Sequence, residues 1–546
     1  MAISAPLPIL DALDPEQRAA ATLPYGPAQI IAPAGSGKTT TMVARLAVLL
    51  DRGVAPDRIC VVTLNRDAVA DLRARVERRL GPAIPAATTI EIRTLHALAR
   101  QVLLDAGEGR ALVADRLPLL RAARRRVLAA DNEAAVPEAS SLDTWLSAWK
   151  IEAREPPRDA AAALAAYDDL MRVRGAIDFD DLVVRACDLL ERDPRLRHRW
   201  QSRFLHVCVD EFQDVDAAQL RLVRILAAPE NNLFVVGDDD QTIYAWRLAD
   251  VRRILRFSSD YPSARRVILA TNYRCPASVV GASARLVAMN RERFAKPIRA
   301  PKGTQQDATA IEGRSTADRD WPDPLVRLAV REAAEGRSCC FLSRTRSELT
   351  PVHLALVRAG VPHATSATPL VEAESVVDLM DRARTSPDPG HPFHVLRRLR
   401  SGRGWHRSQA SADGLADEEH AALEALLGWS VAFLTLDAFV ASYDRARARI
   451  AALRDPDALV ELATVHASKG REWDTVVVLG FEADRMPNRR SLLDAEDADR
   501  ALEEERRLAY VALTRATRRL ILAFDASRPS PFLGEMGLRT DPARQG

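Results

Sequence analysis

The chain has 546 residues, with 77 Lys+Arg against 75 Asp+Glu and a formal net charge of +2. At about 150 residues per domain this length excludes a single small domain. The near-zero net charge excludes a histone-like binder held to nucleic acid by bulk charge, though not a local basic groove. Hydrophobic residues at 47% and charged residues at 28% describe an ordinary soluble globular chain and not a disordered one.

In chain order, the first strong pattern is a short apolar strand over residues 28–31, followed by A-P-A-G-S-G-K-T over 32–39 and a helical run over 40–50. Strand, glycine-rich loop and helix in that order are the setting a phosphate-binding loop requires. A second buried strand is predicted at 58–64, then an Arg-rich helix to about residue 80. Residues 96–190 carry Ala, Leu and Arg at helical spacing without a convincing strand, and R-A-A-R-R-R at 121–126 gives them a basic face. That face is either a solvated surface or a phosphate contact. Parallel-strand signals return at 205–209, 233–236 and 266–269, and again at 339–342, 475–479 and 520–524. Residues 391–457 read as polar and helical or irregular. Two α/β units, the first with a helical insertion, fit this alternation.

No apolar run approaches the roughly 20 residues that cross a bilayer, and the first ten residues lack the cationic start of a signal peptide. The expected compartment is the cytoplasm. Six scattered cysteines form no C-x-x-C pair, so neither a disulfide framework nor a zinc site is indicated. His391, His394 and His406 lie close in sequence, but no further spacing completes a metal set, and a surface loop is expected. Only five of the 77 cationic residues are lysine: Lys38, Lys150, Lys296, Lys302 and Lys469. Arginine cannot act as a compact point charge, so a lysine kept against this bias invites a reason. Lys38 and Lys469 fall inside motifs, whereas Lys150, Lys296 and Lys302 read as leftovers.

The loop residues Ala32, Pro33, Ala34, Gly35, Ser36, Gly37, Lys38, Thr39 and Thr40 are expected to bind ATP. Backbone N–H groups around Gly35 and Gly37 can cradle phosphate oxygens. Lys38 would span the β- and γ-phosphates and Thr39 would hold Mg²⁺. Asp210, at the end of a buried strand, can reach the same Mg²⁺, and Glu211 is placed to orient and deprotonate water. In G-D-D-D-Q-T-I-Y-A-W-R, residues 237–247, Gln241 can sense the γ-phosphate. Tyr244 and Trp246 beside Arg247 suggest a stacking platform for a single strand, the alternative being that Trp246 is a core residue.

These motifs, with others in fixed order, resemble a superfamily 1 helicase of the UvrD/Rep type over nearly the whole chain. L-D-P-E-Q ends at Gln17; T-L-N-R-D-A covers 63–68, R-T-L-H-A 93–97, D-F-D-D-L 178–182 and D-E-F-Q-D 210–214. N-Y-R follows at 272–274, T-V-H-A-S-K-G-R-E-W at 464–473 and E-E-E-R-R-L-A-Y-V-A-L-T-R-A at 503–516. The resemblance implies two RecA-like α/β motor domains with parallel sheets, at 1–95 with 191–275 and at 276–390 with 458–546. Helical insertions would occupy 96–190 and, in reduced form, 391–457. It implies that Gln17 reads adenine, Tyr273 stacks on the base, Glu472 holds the ribose, and Arg274 and Arg515 are arginine fingers. Thr63, Asn65, His96, Trp246, Arg247 and His466 would line the single-strand track.

The implied activity is ATP-driven 3′-to-5′ movement on single-stranded DNA, with hydrolysis between the two motor domains, unwinding at single-strand/duplex junctions, and a place in repair or genome maintenance. Alternatives are a translocase that needs a protein partner (a nuclease, repair or defence component) and a nucleotide-dependent switch that binds proteins. The chain departs from the family at Leu64, where Phe is usual, at Leu248, where Gly is usual, and at Arg471 and Trp473, where Leu and Phe are common. Its second insertion has only about 65 residues, roughly half or less of a typical domain.

Overall fold

The computed structural model describes residues 8–131, 134–303, 310–318, 320–365, 369–402 and 414–538. His406 of the histidine group lies outside them. The chain divides into two compact units, one of residues 1–273 with 290–301, the other of 274–289 with 302–546. The sequence marks a crossing near residue 275 but carries no signal for the return at 290–301, a strap described below.

The first unit contains β1 (Ala28–Ile31), β2 (Ile59–Thr63), β3 (Glu91–Thr94), the two-residue strands β4 (Ala111–Leu112) and β5 (Ala176–Ile177), β6 (His206–Val209), β7 (Leu233–Gly237) and β8 (Arg265–Ile268). Six of these form one parallel sheet in the order β3-β2-β6-β7-β1-β8. β1, β2, β6 and β7 are buried along their length, as strands covered on both faces must be, and so read as unbroken apolar runs. Met42, Leu46 and Leu49 of helix Lys38–Asp51 cover one face together with Leu72 and Val76. Trp200, Leu222, Leu226 and Phe257 build the core on the other. Because every strand runs the same way, the phosphate loop, Thr63, Asp210 and Asp238 all emerge from carboxyl ends, where open α/β sheets bind ligands.

Helices Leu117–Ala130, Ala139–Glu152 and Arg158–Val173 share a separate core of Leu120, Leu142, Leu146, Leu164 and Tyr167. The flanking helices Leu95–Asp105 and Phe179–Arg192 pack instead into the sheet's own core. The segment 96–190 is therefore not a separate body from end to end, because its outer helices spend their apolar faces on β-strands. Asp178 joins the two parts. It caps helix Phe179–Arg192 in a reciprocal box with Asp181, accepts from Tyr167 Oη at 2.9 Å and meets Lys150 Nζ at 2.9 Å. Lys150 is thus no leftover.

In the second unit β9 (Ile311–Ser315), β10 (Cys339–Ser343), β11 (Ala364–Thr365), β12 (Val460–Thr464), β13 (Trp473–Leu479) and β14 (Ala516–Phe524) form a second parallel sheet, ordered β11-β12-β10-β13-β14-β9. Helices Pro392–Gly402, Gly414–Ser430 and Leu436–Leu453 have a core of their own through Leu396, Leu426, Phe439 and Tyr443. Helix Glu374–Arg384 contributes Val376, Leu379 and Met380 to it, so this helical group begins ahead of residue 391.

Burial disfavours the ionised form of Asp178, but the charge and hydrogen bond of Lys150, together with the Asp181 N–H and Arg116, outweigh it and hold the carboxyl below the usual aspartate range. Stability from this pair is present at neutral pH and is lost only as pH falls through that depressed value. Lys150→Met leaves the buried carboxylate to the more distant Arg116 at 3.6 Å and is expected to cost about 3 kcal/mol at pH 7. Denaturant titration should show the gap from the parent chain narrowing as pH falls, since the carboxylate then takes up a proton. A gap independent of pH contradicts this account.

Candidate active site and nucleic-acid surface

The phosphate loop is shaped by two left-handed glycines, Gly35 at φ 70° and Gly37 at φ 82°. Gly37 precedes helix Lys38–Asp51 without any side-chain cap among the described residues, which leaves the first N–H groups of the helix to an anion. A Cβ on Gly37 would lie 2.5 Å from Gln17 Nε2 and displace that amide, and the left-handed φ itself favours glycine. The Ser36 hydroxyl is buried with no partner among the described residues. A bare helix start and an orphaned hydroxyl suit a phosphate group.

Gln17 closes the loop from above. Its amide donates to the Ser36 carbonyl at 2.9 Å and accepts from Asp14 N at 3.2 Å in the box that starts helix Pro15–Ala21. Tyr273 N donates to the Gly35 carbonyl at 2.9 Å, and its hydroxyl donates to Asp14 at 2.7 Å. The Tyr273 side chain remains 52% exposed, so a ring fixed at both ends is offered as a flat apolar surface beside the loop.

Asp210 follows β6 and accepts from the N–H of Glu211 at 3.0 Å. Glu211 sits at φ 50°, a region that non-glycine residues enter rarely. Its carboxylate lies 3.8 Å from Lys38 Nζ, which sets the expected base beside the expected phosphate cation. Gln213, fully buried, donates to Glu211 and accepts from Asp238 N at 2.9 Å. Gln241, expected to sense the γ-phosphate, is buried and donates to Asp238 at 2.6 Å.

Past Asp238–Gln241 the chain turns outward. Trp246 is 63% exposed, and Arg247 lies 5.1 Å over its ring. Tyr244, half-buried, meets Trp246 edge to face at 6.3 Å. The core alternative for Trp246 is thereby overturned. Leu248 takes φ 63° where glycine would be unstrained, and Arg253 holds its carbonyl.

The description UvrD/REP helicase N-terminal domain matches residues 13–141 and 121–262, and UvrD-like helicase C-terminal domain matches residues 445–527. The chain belongs to the UvrD/Rep helicase family. ATP-dependent DNA helicase UvrD2 of Mycobacterium tuberculosis is 29% identical to it, over 98% of this chain and 83% of that protein. ATP-dependent DNA helicase PcrA of Leuconostoc citreum is 27% identical over 97% and 85%. PcrA of Staphylococcus aureus is 24% identical over 97% and 86%.

Of the other family positions, Thr63 is buried and bonds the Asn65 carbonyl at 3.2 Å, while exposed Asn65 caps helix Arg66–Leu80. Thr63, Leu64 and His96 line one small cavity together with Asp210 and Glu211. Burial lowers the His96 pKa, and its ring meets Phe179 edge to face at 5.8 Å. In the second unit Arg274 pairs with Glu472 at 2.6 Å. Arg515 is buried, donating to the Val511 and Arg471 carbonyls at 2.9 and 3.1 Å. His466 lies half-buried in the short turn His466–Ser468 that follows β12.

Sequence reasoning missed several partners. Arg471 and Trp473, two of the four departures from the family, share one buried acid. Arg471 pairs with Glu461 and lies 4.8 Å over the Trp473 ring, whose Nε1 donates to Glu461 at 3.3 Å. Lys296, read as a leftover, has a fully buried side chain among three aspartates: 3.0 Å from Asp238, 2.9 Å from Asp240 and bonded to Asp239. Its rarity in an Arg-rich chain was the only available signal. Arg293 grips Asp240 through two bonds at 2.9 and 2.8 Å. Burial pushes the Asp239 carboxyl up, against the pull of Lys296. Asp240, also buried, stays below the usual range because both cations hold it.

A stacked base is worth about 1–3 kcal/mol. Trp246→Ala should therefore weaken oligo-dT binding by about that amount in fluorescence anisotropy. Undiminished affinity would remove Trp246 from the nucleic-acid surface.

Proposed function

We propose that this chain is an ATP-dependent DNA helicase that moves 3′ to 5′ on single-stranded DNA. The observation that carries this reading is Glu211 in a strained conformation 3.8 Å from the phosphate-loop lysine, on the sheet edge that also bears the exposed Trp246–Arg247 pair. Hydrolysis needs a base near the γ-phosphate and positive charge for the oxygens that gain it. Glu211 would orient and deprotonate the attacking water, and Lys38 would hold the phosphates. Gln17 and Tyr273 would frame the base, Glu472 would hold the ribose, and Arg274 and Arg515 would supply guanidinium charge from the second unit. Thr39 and Asp210 would hold Mg²⁺, which when bound offsets phosphate charge. Trp246, Arg247, Tyr244, His96, Asn65, Thr63 and His466 would serve the strand, with Thr63 acting by holding the Asn65 turn. The two parallel sheets would be the two motors, and the helical groups their insertions.

ATP turnover is expected to rise strongly with single-stranded DNA and to fall about 100-fold or more in Lys38→Ala and Glu211→Gln. Strand separation should occur on 3′-tailed and not on 5′-tailed duplexes. Turnover indifferent to DNA would overturn the motor and favour a protein-binding switch. DNA-stimulated turnover without strand separation would leave a translocase that needs a partner.

A further inference from the structure

The strap 290–301 belongs to the first unit, although the helix Ala277–Ala288 that precedes it belongs to the second. Two sets of bonds fix it. At one end Arg299 pairs with Glu16 at 2.7 Å and its N–H donates to the Ala270 carbonyl at 3.0 Å. Its carbonyl accepts from Asn272 N at 2.8 Å, one residue before the ring that flanks the phosphate loop. At the other end Lys296 pairs with Asp238, Asp239 and Asp240, Arg293 pairs with Asp240, and Phe294 N donates to Asp239 at 2.8 Å.

The aspartates in turn govern a clamp. Asp238 N fixes Gln213 Oε1, and a Cβ on Gly237 would lie only 2.6 Å from that oxygen, so the glycine leaves the room the amide occupies. The other end of the same amide holds Glu211. We propose that Lys296 is a positioning residue for ATP hydrolysis, holding the Asp238–Asp240 turn so that Gln213 sets Glu211 for its reaction. Lys296 reaches neither water nor substrate and acts through two intermediaries. Lysine suits the place because one compact ammonium with three rotatable donors meets all three carboxylates from a fully enclosed site. The Trp246 platform continues from the same turn, so the strap also fixes the base of the proposed strand-binding loop.

This inference rests on the helicase reading, and the experiment separates the two. ATP turnover of the full chain is measured with saturating oligo-dT for the parent, Lys296→Met, the charge-balanced Asp239→Asn/Lys296→Met, and Gln213→Leu. Lys296→Met is expected to lower kcat about tenfold or more, since misplacing a catalytic group is costly, while KM for ATP stays within about twofold. Asp239→Asn/Lys296→Met should recover most of the loss, because one carboxylate leaves with the ammonium. Gln213→Leu breaks the clamp without removing a buried charge and should show the same split, so it carries the test if Lys296→Met does not fold. Unchanged kcat in Gln213→Leu or in folded Lys296→Met overturns the proposal, as does a loss confined to KM. If the parent itself ignores oligo-dT, the helicase reading fails instead, and the variants are compared on DNA-free turnover.

Discussion

Three aspartates on consecutive residues at the end of a buried strand present a severe electrostatic problem. Buried carboxylates must be neutralised, paired or protonated. Here the countercharge comes from a segment more than fifty residues away, through Lys296 and Arg293. The remainder of the site follows from that solution. The pinned turn seats Gln213, Gln213 seats Glu211, and Glu211 lies opposite Lys38. The proposed base is therefore aligned by a polar scaffold and not by its own backbone preference, which would avoid φ 50°.

A buried polar scaffold of this kind is specific because it is unforgiving. Each member is costly if left unpaired, so the arrangement tolerates few alternatives. The second unit repeats the device on a smaller scale. Glu461 is buried in β12 and is answered by Arg471 and the Trp473 indole. Two substitutions that look like unrelated departures from the family are one compensated interaction.

The central strands were legible because burial on both faces leaves a continuous apolar run. β1 spans 28–31, as the sequence indicates, and β2, β6, β7 and β10 fall within a residue or two of expectation. β3, β9 and β12 were not, for the opposite reason: E-I-R-T, I-E-G-R-S and V-E-L-A-T interrupt the apolar pattern with charge. In the site, motif residues such as Lys38 and Glu211 were visible because chemistry fixes their spacing in the chain. Lys296 and Arg293 were not assigned, since their partners are adjacent only in space, and neither was Gln213, whose tie to Asp238 is likewise distant in the chain. The scarcity of lysine pointed toward Lys296, yet a rule that trusted motifs alone set it aside.

The central claim is that the nucleotide site and the Trp246 loop are joined through Gln213 and the pinned aspartates. It is tested most directly by hydrogen exchange on the amides of residues 238–250, with and without a non-hydrolysable ATP analogue and with no DNA present. Slower exchange across that segment on nucleotide binding is the predicted result. Exchange unchanged there, while the phosphate loop itself becomes protected, would contradict it.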